Sequence, residues 1–127
     1  MTTAEQTVLD VRGVHTYYGE SHVLHGVDLS VRRGQLVALL GRNGVGKTTT
    51  VRSIVGFSPP RRGNVVFNGE EIAGLSAQKI ARMGIALVPQ GRRLFGSLTV
   101  REHLKIFGAQ DRGARWDFDR VVETFPR

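Results

Sequence analysis

The sequence predicts an α/β fold organised around one strand, one glycine-rich loop and one helix. Leu36–Leu40 is an uninterrupted apolar stretch with the character of a strand buried on both faces. It runs directly into the loop Gly41–Thr49, and the segment Thr50–Val55 that follows has apolar residues at helical spacing. A strand, a glycine-rich loop and a helix in this order form the context that a phosphate-binding loop requires.

The chemistry of the loop Gly41-Arg42-Asn43-Gly44-Val45-Gly46-Lys47-Thr48-Thr49 suits a nucleoside triphosphate. Its glycines allow consecutive backbone N–H groups to turn toward phosphate oxygens, and the helix directs its positive N-terminal end at the same anion. We expect Lys47 to reach the β- and γ-phosphates and the hydroxyl of Thr48 to bind Mg²⁺. The alternative, a glycine-rich turn before an ordinary helix, is disfavoured by the full context.

Composition is that of a globular protein of one domain at most, with 127 residues, 40% of them apolar, and 16 glycines. The absence of cysteine excludes a disulfide frame, a thiolate metal site and a cysteine nucleophile, and it suits a reducing cytosol. Met1–Thr7 has neither the basic head nor the apolar core of a signal peptide. No apolar run approaches the roughly 20 residues of a membrane span, so we expect any membrane association to go through a partner or the surface.

The net charge of +7 raises the question of nucleic-acid or anionic-membrane binding. The arginines, however, occur as scattered pairs beside glycines, at Arg32-Arg33, Arg61-Arg62 and Arg92-Arg93, as they do in solvated turns. No basic helix or stripe with interleaved aromatic residues is present, so we expect no nucleic-acid partner. A missing acidic segment would produce the same imbalance of charge.

Further elements are predicted on both sides of the loop. The predicted strands are Val8–Tyr18, Val23–Val31, Asn64–Phe67 before an Asn68-Gly69 hairpin turn, and the buried Ile85–Val88. One predicted helix is capped by Ser76 and runs through Met83, and a second runs from the capping box Thr99-Val100-Arg101-Glu102 to Phe107. A third, amphipathic helix is marked by Phe118, Val121, Val122 and Phe125. His22 and His25 have no other ligand nearby in sequence, so we expect no metal site there.

With these motifs placed, the chain resembles the nucleotide-binding subunits of ABC transporters. The loop has that family's extra glycine and second threonine, and antiparallel strands precede it. Tyr18 lies where the family places the aromatic residue that stacks on adenine, an interaction worth about 1–3 kcal/mol per base. Gln90, after the strand-ending Pro89, matches the family's Q-loop glutamine, which approaches Mg²⁺ and the attacking water. The alternative for Tyr18 is an ordinary aromatic residue of a strand, and the alternative for Gln90 is an ordinary polar residue after a strand.

The resemblance covers Val8 to Arg127 and implies ATP and Mg²⁺ as ligands. It implies a single partial nucleotide-binding domain over residues 1–127, of the P-loop NTPase class. Residues 8–96 would form the antiparallel β subdomain and the start of the RecA-like core through the Q-loop, and residues 97–127 the start of the helical subdomain. The implied site residues are Lys47 and Gln90 for catalysis, Thr48 and Gln90 for the metal, and Tyr18, Gly41, Arg42, Asn43, Gly44, Val45, Gly46, Lys47, Thr48 and Thr49 for ATP.

Within the family, Val88–Phe95 and Leu98–Glu102 look like the importers of branched-chain amino acids, and urea-type importers carry a similar stretch. The resemblance implies transmembrane permease subunits docked at the Q-loop groove and a second ABC ATP-binding subunit in a homo- or heterodimer. It also implies a solute-binding protein as an indirect partner and a cytoplasmic location, peripheral on the inner face of the cell membrane. The apolar face of Val100, Leu104 and Phe107 is expected to pack the helical subdomain rather than to line the groove.

The motifs that ATP hydrolysis needs in this family are not found. No acidic residue follows a run of four apolar residues, as a Walker B strand requires, and Glu123 comes closest. Leu75-Ser76-Ala77-Gln78 imitates the signature loop but precedes Gln90, and no histidine follows in the place of the switch. We therefore expect the first half of a longer subunit, able to bind but not hydrolyse ATP and poorly soluble or partly unfolded alone. The alternatives are a soluble ABC-type ATPase unrelated to transport and a non-catalytic ATP-binding module.

Overall fold

The computed structural model describes residues 6–91, 93–108 and 116–126 of the chain. Its elements are β1 (Thr7–Tyr18), β2 (Ser21–Arg32), α1 (Lys47–Ile54), β3 (Arg62–Phe67), β4 (Glu70–Glu71), α2 (Ala77–Arg82), α3 (Val100–Gly108) and α4 (Phe118–Thr124). Contacts divide the chain into two compact units, residues 1–87 and 88–127, and each unit is described by itself.

The first unit contains a four-stranded antiparallel sheet in the order β2-β1-β3-β4. The strands β1 and β2 form a long hairpin that runs from the pair Tyr18 and Ser21 at the turn to the pair Thr7 and Arg32 at the open end. β3 pairs with the other edge of β1, which makes β1 a central strand. The predicted strands on both sides of the loop, at Val8–Tyr18, Val23–Val31 and Asn64–Phe67, are confirmed with slightly longer bounds.

Local turn and cap signals are also confirmed. Asn68 and Gly69 both have positive φ, at 49° and 84°, as the two central residues of a type I′ hairpin turn between β3 and β4 require. The side chain of Ser76 accepts a hydrogen bond from the backbone N–H of Lys79 and caps α2. Ser76 therefore has the structural role that the sequence predicted for it.

The core of the first unit lies where the sheet meets α1 and α2. Its buried members are Val11, Val14, Leu24, Ile54, Val65, Ile72 and Ile80. Removing such a side chain from water contributes about 1.5–3 kcal/mol. Because Val11 and Val14 belong to β1 and Ile54 to α1, the same core fixes the helix that follows the glycine-rich loop against the sheet.

Two predicted strands are wrong for the described structure. Leu36–Leu40 and Ile85–Val88 form no strand and pair with no strand among the described residues. A strand requires a neighbour for its N–H and C=O groups, and the sheet that the structure describes ends at β2 and β4 without reaching either segment. As a result Leu36, Leu40 and Val88 are 95%, 90% and 93% exposed, where the sequence pattern indicated burial.

The second unit contains α3 and α4, which contact each other, and Arg101 of α3 lies 4.9 Å from the centre of the Phe118 ring of α4. The capping box is confirmed: Glu102 accepts hydrogen bonds from the N–H and hydroxyl of Thr99, at 2.7 and 2.8 Å. In return the N–H of Glu102 donates to the Thr99 hydroxyl. None of the helices in the described ranges has the length and apolarity to cross a membrane.

Candidate functional site

The glycine-rich loop owes its conformation to glycines that occupy the left-handed region. Gly44 has φ 84°, and Gly46, the N-cap of α1, has φ 104°. Gly46 also lies so close to β2 that a Cβ atom there would be 2.7 Å from Cδ2 of Leu24, a buried core residue. Both the backbone angle and the contact therefore require glycine at position 46.

The backbone N–H groups of residues 44–49 make no hydrogen bond to any other residue that the structure describes. The first bond of α1 is made by the N–H of Thr50, which donates to the carbonyl oxygen of Gly46 at 2.8 Å. Helix N-termini always leave such N–H groups without a partner, and here the loop adds those of residues 44–46 to them. Consecutive unpaired N–H groups at a positive helix end are the chemical requirement for binding phosphate.

The ammonium group of Lys47 lies over the loop. Its Nζ donates to the carbonyl oxygens of Gly41 and Arg42, at 2.7 Å each. Because an ammonium group has three N–H donors, one is left for an anion next to these two carbonyls. Lys47 therefore occupies the place that a residue holding the outer phosphates of a nucleotide would need.

The three threonines after Lys47 differ in exposure. The side chains of Thr49 and Thr50 are buried, and the hydroxyl of Thr50 donates to the carbonyl oxygen of Gly46 at 2.9 Å. Thr48 is exposed, and its hydroxyl is therefore the accessible one for a metal ion. Arg42, Asn43 and Val45 are exposed as well, so the outer side of the loop is open to solvent.

The structure distinguishes the two adjacent tyrosines at the end of β1. Tyr17 stacks on His22 with ring centres 4.1 Å apart and has Arg61 over its ring at 4.6 Å. Tyr18 is 45% exposed, and its phenol oxygen accepts a hydrogen bond from Ser58 at 3.2 Å. Hydrogen bonds from the hydroxyls of Ser58 and Thr49 lower the pKa of Tyr18, although burial raises it. Of the two rings, Tyr18 is the one left accessible for a ligand.

Gln90 belongs to the second unit, whereas Thr48 belongs to the first, so their expected joint Mg²⁺ site stays a prediction. Gln90 is exposed in a bend after Pro89. Downstream, the N–H of Phe95 donates to Nε2 of His103 at 3.0 Å, which leaves Nδ1 to donate to the carbonyl oxygen of Thr99 at 2.9 Å. His103 thereby connects Phe95, which follows Gln90, to Thr99 at the start of α3. Sequence reasoning missed this role.

A histidine cluster on the β1–β2 hairpin was also missed. His15 faces His25 in the strand register, and its Nδ1 lies 3.0 Å from Nε2 of His22. Removal from solvent and the neighbouring His25 lower the pKa of His22. Within the described ranges no group of three or more histidine or acidic side chains is arranged to hold a metal ion. Only the hairpin register could have revealed the cluster, because His15 and His25 are distant in sequence.

The glycine loop, whose N–H groups have no partner among the described residues, leads into α1 and has a lysine folded over it. These features define the class of P-loop nucleotide-binding proteins. Comparison with known proteins specifies the family. The model of the ABC transporter family matches residues 24–127, and the chain belongs to this family.

Relatives and solved structures agree with this assignment. The chain is 40% identical over 116 residues to the high-affinity branched-chain amino acid transport ATP-binding protein BraG of Pseudomonas aeruginosa, covering 90% of this chain and 50% of that protein. It is 46% identical over 101 residues to the Nod factor export ATP-binding protein I of Ralstonia nicotianae, covering 80% and 31%. A solved ATP-binding subunit of an ABC transporter superposes with a TM-score of 0.71 at 36% identity, covering 80% and 42%. The chain thus spans about half the length of BraG and less of the other two.

Proposed function

We propose that the loop of residues 41–49 binds ATP, and that the chain is part of an ATP-binding subunit that powers import of branched-chain amino acids or a similar small solute. The observation that carries the ATP site is the row of N–H groups at residues 44–49, which have no partner among the described residues and lie beside the Lys47 ammonium group. The identity to BraG supports the solute class.

The residues of the site fit ATP and Mg²⁺. The N–H groups of residues 44–49 and the remaining donor of Lys47 would hold the phosphates, and the exposed ring of Tyr18 would stack on adenine. The accessible hydroxyl of Thr48 would bind Mg²⁺ together with the amide oxygen of Gln90. The metal ion, when bound, neutralises charge on the phosphate oxygens. Tyr18 stacking offers little discrimination between bases, because every base presents a π-face.

We infer that these 127 residues bind ATP without hydrolysing it, because no acidic residue among them follows a Walker B-like apolar run. In the assembled transporter, hydrolysis would require a second ABC subunit as well as the remaining motifs. Permease subunits would dock on the unit that contains Gln90, where Leu94 and Phe95 are exposed. The subunit would then be peripheral on the inner face of the cell membrane, with a solute-binding protein as an indirect partner.

A second candidate is an ABC ATPase with another task, such as export, and the identity to the Nod factor export protein supports it. Both candidates share the ATP site and differ only in the partner chains. The gene sequence around and downstream of the codon for Arg127 separates them. Neighbouring genes for importer permeases and a solute-binding protein support import, whereas genes for exporter subunits or none at all contradict it.

The ATP site is tested by measuring equilibrium binding of ATP with Mg²⁺ to the wild-type chain and to Lys47→Ala. Lys79→Ala is the matched control, because Lys79 is an exposed lysine on α2. We expect Lys47→Ala to weaken ATP binding at least about tenfold, the loss of one charge-assisted contact, and Lys79→Ala to leave it unchanged. Equal binding by the wild-type chain and Lys47→Ala would contradict the assignment.

A further inference from the structure

A chain of hydrogen bonds connects α1 to the ring of Tyr18. Nε of Arg52 donates to the hydroxyl oxygen of Ser58 at 3.4 Å, and the Ser58 hydroxyl donates to the phenol oxygen of Tyr18 at 3.2 Å. Ser58 is buried, whereas almost half of Tyr18 is exposed. The buried hydroxyl therefore holds the far end of an otherwise accessible ring.

The position of Ser58 is set by the backbone that follows α1. The N–H groups of Phe57 and Ser58 both donate to the carbonyl oxygen of Arg52, at 2.9 and 3.1 Å. Gly56, with φ 83°, reverses the chain before them, and a Cβ atom at Gly56 would lie 2.9 Å from Cδ1 of the buried Ile80. The Ser58 hydroxyl is thus fixed relative to α1 by backbone bonds and by a close contact with α2.

A second connection joins β1 to α1 two residues before Tyr18. The hydroxyls of Thr16 and Ser53 are 2.8 Å apart, both side chains are buried, and the Ser53 hydroxyl donates to the carbonyl oxygen of Thr49. Tyr18 therefore extends from a strand that is already fastened to the helix of the phosphate-binding loop. Its ring has one remaining freedom, rotation about its own side-chain bonds, and the bond from Ser58 restricts it.

We propose that Ser58 is a positioning residue for the nucleotide base. The Ser58 hydroxyl orients the Tyr18 ring relative to α1, so that one rigid unit presents both the stacking surface and the phosphate loop. This inference rests on the proposed ATP binding. An oriented ring loses less conformational freedom when a base stacks on it, so the tether increases affinity for ATP without touching it. The bond from Ser58 leaves the phosphate contacts unchanged, because Ser58 lies outside the loop of residues 41–49.

The experiment compares the affinity for ATP with that for inorganic triphosphate, which has no base, in the wild-type chain, Ser58→Ala and Tyr18→Phe. Each variant removes one partner of the hydrogen bond between Ser58 and Tyr18, and Tyr18→Phe keeps the aromatic ring but also removes the contact of the phenol oxygen with Thr49. We expect each to weaken ATP binding about threefold to tenfold, the range for one hydrogen bond, and to leave triphosphate binding within about twofold. The double variant should bind ATP no more weakly than Tyr18→Phe alone, since Tyr18→Phe already removes the hydrogen bond to Ser58.

The titration of Tyr18, followed by tyrosine absorbance, is a readout that needs no ligand. It is measured in a Tyr17→Phe background, because the sequence has two tyrosines and Tyr18 is then the one that remains. Ser58→Ala should raise the pKa of Tyr18, because the donated hydrogen bond from Ser58 lowers it. This titration also reports the hydrogen bond from Ser58 if Ser58→Ala is less stable than the wild-type chain. Tyr18→Phe is the variant that leaves the buried Ser58 side chain in place.

The inference would be overturned if Ser58→Ala bound ATP as tightly as the wild-type chain while Tyr18→Ala weakened it. Equal weakening of ATP and triphosphate by Ser58→Ala would also overturn it, because Ser58 would then act on the loop rather than on the base. A wild-type chain that binds neither ligand would contradict the proposed function instead, and the titration of Tyr18 would still decide whether Ser58 holds the ring.

Discussion

Thr16 donates its hydroxyl hydrogen to Ser53 across 2.8 Å between β1 and α1, since Ser53 uses its own hydrogen for the carbonyl oxygen of Thr49. Both residues are buried, with 0% and 3% of their surface exposed. Each polar atom of the pair has a partner, so the connection fastens the helix of the glycine-rich loop to the central strand of the sheet.

The two ends of this bond should respond differently to substitution. Ser53→Ala leaves the buried Thr16 hydroxyl without an acceptor and should cost about 1–3 kcal/mol of the free energy of unfolding. Thr16→Val removes the donor but leaves Ser53 bonded to Thr49, and should cost about 0.5–1.5 kcal/mol. Urea unfolding of both variants and of the double variant measures this. A larger cost for Thr16→Val than for Ser53→Ala would contradict the direction of the bond.

Gly46→Ala should destabilise the chain by about 1–3 kcal/mol, the cost of a non-glycine residue in a strained backbone conformation. The new Cβ would also lie 2.7 Å from Cδ2 of Leu24, a buried side chain that would have to shift. The matched control is Gly96→Ala, because Gly96 lacks a positive φ and has no heavy atom near the added Cβ. Urea unfolding should separate the two variants, and ATP affinity should fall only for Gly46→Ala. Identical stability of the two variants would show that the loop does not approach β2 as described.

The capping box of α3 should depend on pH. Hydrogen bonds from the N–H and then the hydroxyl of Thr99 lower the pKa of Glu102 below its ordinary value. Because the folded pKa is the lower one, the ionised carboxylate stabilises the cap fully above the unfolded pKa, and this stabilisation is lost as the pH falls through the folded pKa.

Far-ultraviolet circular dichroism should therefore show helix loss on acidification below about pH 4.3, the ordinary glutamate pKa. Glu102→Gln keeps a side chain that can cap but cannot ionise, so the part of this loss that comes from α3 should disappear. The same loss of helix on acidification in the wild-type chain and in Glu102→Gln would exclude Glu102 as its source.

The exposed leucines before the loop should cause self-association. Leu36 and Leu40 are 95% and 90% exposed, and exposed apolar side chains favour contacts with other chains. Leu36→Ser combined with Leu40→Ser should shift size-exclusion elution toward the monomer. The free energy of unfolding should stay within about 0.5 kcal/mol, as for other surface changes. Monomeric elution of the unchanged chain together with a single sharp unfolding transition would contradict this expectation.

Sequence reasoning succeeded where the signal is local. The helix after Lys47, the Asn68-Gly69 turn, the Ser76 cap and the Thr99 capping box each depend on residues within four positions of one another. The order of an apolar stretch, a glycine-rich loop and a helix correctly predicted the fold class, and phosphate binding by the loop stays a prediction.

Sequence reasoning failed where structure depends on a distant partner. Leu36–Leu40 has the apolarity of a central strand, but apolarity does not supply the neighbouring strand that pairing requires. Similarly, Tyr18 could be selected over Tyr17 only through family resemblance. The physical reasons, the stack of Tyr17 on His22 and the bond of Tyr18 to Ser58, depend on tertiary contacts.

The central claim, that the unpaired N–H groups of residues 44–49 bind the phosphates of ATP, is tested most directly by hydrogen–deuterium exchange with and without ATP and Mg²⁺. These N–H groups have no acceptor among the described residues, so bound phosphate oxygens should slow their exchange. We expect slowing in peptides that contain residues 41–50, and its absence in Lys47→Ala at the same ATP concentration. Saturating ATP that leaves exchange at residues 41–50 unchanged would contradict the account.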